Sequence, residues 1–271
     1  MEFSKDHRNR WITGVVGIII VFLVVGYCSK PIFFIFMLLV NLAALKEFYG
    51  LVSISKSSRF VGIGLGLFLT SGFFYLKAPA LLGLMAGIGF SFCLLNILKF
   101  KTTEPLNTDF KKHSIAIFIV TFFLSHLIWL RDLDEGQRWI FFLLVVIFTG
   151  DTFALYGGKL FGKHKLSPAI SPKKTIEGSL AGLIGNVFAG LIFSYFFFPG
   201  FSWSIVLFLA GIFGILSQLG DLWESVLKRE CMVKDSGNYL PGHGGFLDRL
   251  DSLFFSAPFL YYFIVYQEGL L

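Results

Sequence analysis

Residues 217–251 hold six of the 17 acidic side chains of this chain, Asp221, Glu224, Glu230, Asp235, Asp248 and Asp251, in the one long polar stretch of an otherwise apolar sequence. The first part reads as a helix, which lines Asp221, Ser225 and Lys228 along one face at i, i+4 and i+7, with Glu224 beside them. Pro241-Gly242-His243-Gly244-Gly245 then ends any helix, since proline lacks the amide donor and glycine allows close backbone approach. Asp248 and Asp251 follow at i, i+3, where the next apolar run begins. Two helix ends therefore present carboxylates to a glycine-rich loop. Hard divalent cations take oxygen ligands, and magnesium is usually held by one or two carboxylates together with substrate phosphates. The chemistry expected of these residues is that of a metal and phosphate site at a membrane surface.

The elements that must position them are membrane spans. The chain has 271 residues, 55% hydrophobic and 15% charged, with 35 phenylalanines and a mean hydropathy of +0.76, which excludes an ordinary water-soluble domain. Apolar runs predict nine transmembrane helices in an all-α polytopic fold, at about 11–27, 32–49, 60–76, 78–98, 114–130, 138–158, 179–198, 203–227 and 250–267. With no internal repeat and no low-complexity linker, residues 1–271 read as a single membrane domain. Within it, the spans of 1–150 precede the catalytic spans and loops of 151–271. Three widely separated cysteines imply neither a disulfide framework nor a CxxC metal site.

Placing the N-terminus in the cytoplasm puts 19 of the 23 Lys and Arg residues on the inner side and leaves only Lys30, Lys77, Arg131 and Arg138 outside. The polar stretch then faces the cytoplasm, where nucleotides are. The basic pI of about 9.2 follows from these loops, and no nucleic-acid partner is expected. Lys46-Glu47, at the end of the second span, reads as an interfacial pair.

A second chemical region precedes the seventh span. Asp151 lies towards the cytoplasmic end of an apolar helix, where a charge costs up to about 2.5–3.5 kcal/mol near mid-membrane, so it is expected to have a partner or to line a polar cavity. Gly157-Gly158 opens a basic loop with glycine turns that runs to Ser171-Pro172-Lys173-Lys174-Thr175-Ile176-Glu177-Gly178. Lys173 and Lys174 are expected near a helix N-terminus, within reach of a phosphate.

Ser225-x-Leu227-Lys228-Arg229, then Lys234-Asp235-x-Gly237, then Leu240-Pro241-x-His243-Gly244-Gly245-Phe246-x-Asp248-Arg249-Leu250-Asp251 resembles the signature of the phosphatidate cytidylyltransferases, or CDP-diacylglycerol synthases, with no departure over 27 positions. Asp151 and the Ser-Pro-Lys-Lys-Thr segment extend the likeness to residues 151–251. There Ala154-Leu155-Tyr156 departs from it, bringing the tyrosine one place late. The first 150 residues match only as a set of spans.

The resemblance implies transfer of the cytidylyl group of CTP to phosphatidate in the cytoplasmic (inner) membrane of a bacterium, by a homodimer set among membrane lipids. Asp221 and Asp248 would bind catalytic Mg2+, with Asp251 as a third ligand or support. Lys228, Arg229, Lys234 and Arg249 would neutralise triphosphate charge, and Ser225 would donate a hydrogen bond. His243, Gly244 and Gly245 would lie against the nucleotide. Asp151, Lys173 and Lys174 would complete the substrate site. Two other readings compete: a related CTP-dependent membrane kinase or transferase acting on a polyprenol or ether lipid, and an ion-coupled transporter. Against the transporter, the charges gather at one membrane face, and no inverted pair of broken helices is seen.

Overall fold

The computed structural model describes residues 5–52, 54–76, 108–237 and 244–267. The chain begins with three helices, α1 (Lys5–Tyr27), α2 (Lys30–Leu51) and α3 (Lys56–Tyr75). A rod follows, made of α4 (Thr108–Ile115), a π-helical stretch (Ala116–Phe123) and α5 (Leu124–Asp132). Next come α6 (Gly136–Phe161), a hairpin of β1 (Lys165–Ser167) and β2 (Ser171–Thr175), α7 (Ile176–Phe197), α8 (Trp203–Glu230), α9 (Leu247–Phe254) and α10 (Ser256–Gln267).

Six helices among the described residues are long and apolar enough to cross a membrane: Lys30–Leu51, Lys56–Tyr75, Lys112–Asp132, Gly136–Phe161, Ile176–Phe197 and Trp203–Glu230. At 1.5 Å per residue, a helix of 22 residues is about 33 Å long, against a hydrocarbon core of about 30 Å. The chain is a multi-pass, essentially all-helical membrane protein. The expected first span has a shorter apolar part, Ile12–Tyr27. The expected fourth, 78–98, lies outside the described residues. The expected ninth is divided at Phe255 into α9 and α10.

Pro31 at the first turn of α2 costs no hydrogen bond, because the first amides of a helix have no intrahelical acceptor. Ser55 and Thr175 cap α3 and α7 by accepting from the amides of Ser58 (3.3 Å) and Gly178 (3.1 Å). α2 and α3 are antiparallel: Phe34 stacks on Phe74 with ring centroids 4.4 Å apart, and the other ends meet where Arg59 Nη2 donates to the Tyr49 carbonyl (3.2 Å). The rod runs parallel to α3, with Ser58 Oγ 2.9 Å from His113 Nε2 at one end and Phe73 against Trp129 (4.2 Å) towards the other. Tyr49, Phe48, Phe73, Phe142, Phe213 and Phe254 are the largest wholly buried side chains of the core.

Small residues let α6, α7 and α8 approach closely, as is common between membrane helices. A Cβ at Gly150 would meet the Asn186 amide, one at Gly157 the Ala181 methyl, and one at Gly214 both Leu183 and Asn186. Gly157 and Gly158 therefore belong to α6 and do not turn the chain, contrary to expectation. Their missing side chains serve helix contact, and α6 continues to Phe161. The segment after it is not a plain loop: β2 pairs antiparallel with β1, Lys165 opposite Thr175 and Ser167 opposite Ser171.

Candidate active site

At one end of the bundle α6, α7, α8, α9 and the hairpin surround an open cavity of about 1190 Å³. Among the described residues, six acidic ones line it, Asp151, Asp221, Glu224, Asp235, Asp248 and Asp251, together with six basic ones, Lys159, Lys173, Lys174, Lys228, Lys234 and Arg249. Equal numbers of each sign suit a polyanion that arrives with a counter-cation.

The pairing inside the cavity is specific. α8 continues past the expected 227 to Glu230, which holds Glu224 and Lys228 one turn apart, and Lys228 Nζ lies 2.6 Å from Glu224 Oε2. The same ammonium lies 2.6 Å from Asp248 Oδ1 on α9. The other oxygen of Asp248 accepts from the amides of Gly245 (2.8 Å) and Ser236 (3.1 Å) and from Ser236 Oγ (2.9 Å). Burial pushes the Asp248 carboxyl up, but the Lys228 ammonium and the two amides outweigh it and hold the group at about 2. Gly244 takes a positive φ of 79°, and a Cβ there would stand 2.8 Å from Asp248 Oδ2, so glycine is required at the turn.

Across the cavity, Lys174 Nζ lies 2.6 Å from Asp221 Oδ2. Lys174 and Lys173 are neighbours on β2, Lys174 half-buried and Lys173 exposed. The two lysines thus precede the α7 cap on a strand, two and one residues before Thr175. Asp251 is buried, and its Oδ1 accepts from the Ser252 amide at 2.7 Å. Asp251 also feels the negative charges of Asp221 and Asp151, and Asp151 that of Asp221.

Asp151, Lys173, Lys174, Asp221, Lys228, Lys234, Gly244, Asp248, Arg249 and Asp251 all line this cavity. Ser225, Arg229 and Gly245 are not among the lining residues. Arg229 is exposed and donates from Nε to the Ile170 carbonyl (3.1 Å), tying the hairpin to the end of α8. Gly245 contributes its amide to Asp248. His243 lies outside the described residues.

Four participants were given no role in the site by the sequence. Glu224 is buried under Lys228, Gln218 lines the cavity and bonds Ser179, Ser236 braces Asp248, and Glu47 reaches the loop from α2. Glu224 and Gln218 were findable, since a polar residue on the same face as Asp221 in an apolar helix needs a polar partner. Glu47, expected at the interface with Lys46, is instead 3% exposed.

The profile of the cytidylyltransferase family matches residues 8–267, nearly the whole chain. This chain belongs to the cytidylyltransferase family. Among curated relatives of this cytidylyltransferase, the phosphatidate cytidylyltransferase of Bacillus subtilis (strain 168) is 34% identical over 267 residues, covering 96% of this chain and 98% of the relative. That of Staphylococcus saprophyticus is 35% identical over 262 residues, 93% of this chain and 97% of the relative, and that of Staphylococcus aureus (strain COL) is 34% identical over the same coverage. The family match extends across the N-terminal spans, where the sequence showed no motif.

Proposed function

We propose that this cytidylyltransferase transfers the cytidylyl group of CTP to phosphatidate, giving CDP-diacylglycerol and pyrophosphate. The carrying observation is the match over almost the full length of relatives bearing the name phosphatidate cytidylyltransferase, in a chain where Lys228, Lys234, Asp235, Gly244, Asp248, Arg249 and Asp251 of the signature line one cavity.

A phosphate oxygen of phosphatidate attacks the α-phosphorus of CTP, the bond from that phosphorus to the bridging oxygen of the β-phosphate breaks, and pyrophosphate leaves. The attacking group is already an anion, so no side chain need act as a base. The work of the protein is to align two polyanions and to balance charge on the reacting phosphate. Lys174, Lys228, Lys234 and Arg249 are the cationic groups placed for this, with Lys173 at the rim.

Magnesium is the cofactor this site suits. Its donors are carboxylate oxygens, the charges of Asp151, Asp221 and Asp251 repel one another, and the buried Glu224 Oε1 has no partner among the described residues. Among those residues no three Asp, Glu, His or Cys side chains form a ready cage. That accords with an ion shared between one or two carboxylates and the substrate phosphates. Asp221 and Asp248 would hold it, with Asp251 in support, and it would supply positive charge to the phosphate oxygens. Lys174 and Lys228 now cover those two carboxylates and would turn to the phosphates as the ion enters.

The basic asymmetry supports a site facing the cytoplasm of a bacterial inner membrane, with the lipid substrate entering from the surrounding leaflet. A homodimer is part of the same proposal. The deciding experiment supplies purified protein in detergent with phosphatidate, magnesium and each labelled nucleoside triphosphate in turn. A CDP-lipid from CTP is expected; label moving only to a prenol, or none moving at all, would overturn the reading.

A further inference from the structure

Glu47 is placed where a charge needs a reason. It ends α2, is 3% exposed, and faces the loop between α8 and α9, some 200 residues later in the chain. Its Oε2 accepts from the Leu247 amide at 2.9 Å and lies 3.4 Å from Ser236 Oγ. Two loop glycines accommodate the carboxylate. A Cβ on Gly237 would stand 2.5 Å from Glu47 Oε1, and one on Gly245 would stand 2.6 Å from Oε2 and closer still to Ser236 Oγ. Burying a carboxylate is costly, and an apolar side chain of similar size would usually serve packing better. What the carboxylate provides is a hold on the loop. The held atoms are one step from Asp248: Ser236 donates to its Oδ2 from both amide and hydroxyl, and Leu247 precedes it in the chain.

We infer that Glu47 is a positioning residue for the reaction, fixing through the Leu247 amide, next in the chain to Asp248, where the Asp248 carboxylate stands relative to Lys228. This rests on the cytidylyl-transfer reading of the cavity, although the geometry is independent of it. Glu47 never touches substrate. It acts by keeping Asp248 within the fraction of an ångström that catalysis requires, and a misplacement of about 1 Å far from the chemistry can cost 10²-fold in rate.

The test compares Glu47→Leu, Glu47→Gln and Glu47→Asp in the purified full-length protein, each alone and Glu47→Leu also combined with Asp248→Asn. Glu47→Leu should lower kcat about 10²-fold, whereas Glu47→Gln, which keeps a carbonyl acceptor for the Leu247 amide, should stay within about 3-fold of wild type. Combined with Asp248→Asn, Glu47→Leu should add less than about 3-fold, since both act on one carboxylate. A purely structural role predicts equal losses in both backgrounds, and that result would overturn the inference. Hydrogen exchange supplies a readout that needs no turnover: the amides of Gly245 and Leu247 should exchange faster in E47L and near normally in E47Q. If exchange responds so while wild type makes no CDP-lipid, the latch stands and the proposed function falls. Unchanged exchange, or wild-type kcat in E47L, removes the latch. Should E47L not fold, Glu47→Asp, whose carboxylate is one methylene short of the Leu247 amide, decides by the same exchange and kcat measurements.

Discussion

Lys174 and Asp221 meet at 2.6 Å, and their ion pair is the contact by which the β-hairpin reaches across the cavity to α8. Because Lys173, the neighbour on the same strand, is exposed at the rim while Lys174 is half-buried, the two lysines separate into a rim and an inner role. Lys174→Ala should raise the KM for CTP or phosphatidate by about 10-fold or more, the scale of one lost charged hydrogen bond of about 1.5–3 kcal/mol. Lys173→Ala should change it by less than about 3-fold, with the salt dependence expected of an exposed charge. Equal effects of the two substitutions would contradict that separation.

Asp221→Asn and Asp248→Asn should each reduce kcat at least about 10²-fold, as when a preorganised charge-stabilising group is lost. Asp251→Asn should be milder, as a support to the other two carboxylates. Steady-state assays on correctly inserted variants check the order, and near-normal turnover in both of the first two would remove the metal-binding assignment.

Activity should vanish in excess chelator and return with magnesium or manganese. Calcium should restore it poorly, since it takes more ligands at longer distance than an octahedral site with few carboxylates provides. Full activity in chelator would refute the cation requirement.

The hold of Lys228, Gly245 and Ser236 on Asp248 gives a sign to one pH effect. A carboxyl lowered from 3.8 to about 2 contributes stability that is fully present above the ordinary value and lost as pH falls through the folded one. The difference in thermal stability between wild type and Asp248→Asn should therefore be constant above about pH 5 and narrow as pH falls from 4 towards 2. A difference that begins to narrow at pH 6 would show that the ion pair does not hold this proton.

Single-cysteine variants labelled by an impermeant reagent should place the 50–59, 157–178 and 228–249 segments inside and the Cys28 end outside. The structure already sorts these ends. Lys30 pairs with Asp132 at 2.9 Å and Arg131 with the Cys28 carbonyl at 3.1 Å, far along the helices from Glu47 and the cavity. Labelling of the 228–249 segment from outside intact cells would reverse the proposed orientation.

Much of the site was legible because polar residues in a chain built for lipid must meet one another. Asp151, Asp221, Lys228, Asp248, Arg249 and Asp251 were each conspicuous against apolar neighbours, and the cavity gathers all of them. What stayed hidden depended on distance in sequence or on a double use of one residue type. A single carboxylate after an apolar run, like Glu47, has the pattern of an interfacial charge, and nothing local names a partner 200 residues away. Gly157 and Gly158 look like a turn and serve a helix contact. Ser171 to Thr175 was read for its charge, which concealed the strand that carries Lys173 and Lys174 to the cavity. Arg229 matched the family signature and yet spends its Nε on the hairpin backbone.

The bond from Glu47 to the Leu247 amide also orders events during synthesis. Its two partners leave the ribosome 200 residues apart, an interval of about 10–40 s at roughly 5–20 residues per second. Through that interval α2 carries its carboxylate without the loop that will enclose it. The catalytic loop cannot be locked before residue 247 has been made, so α1 to α8 are all synthesised before this hold on Asp248 can form.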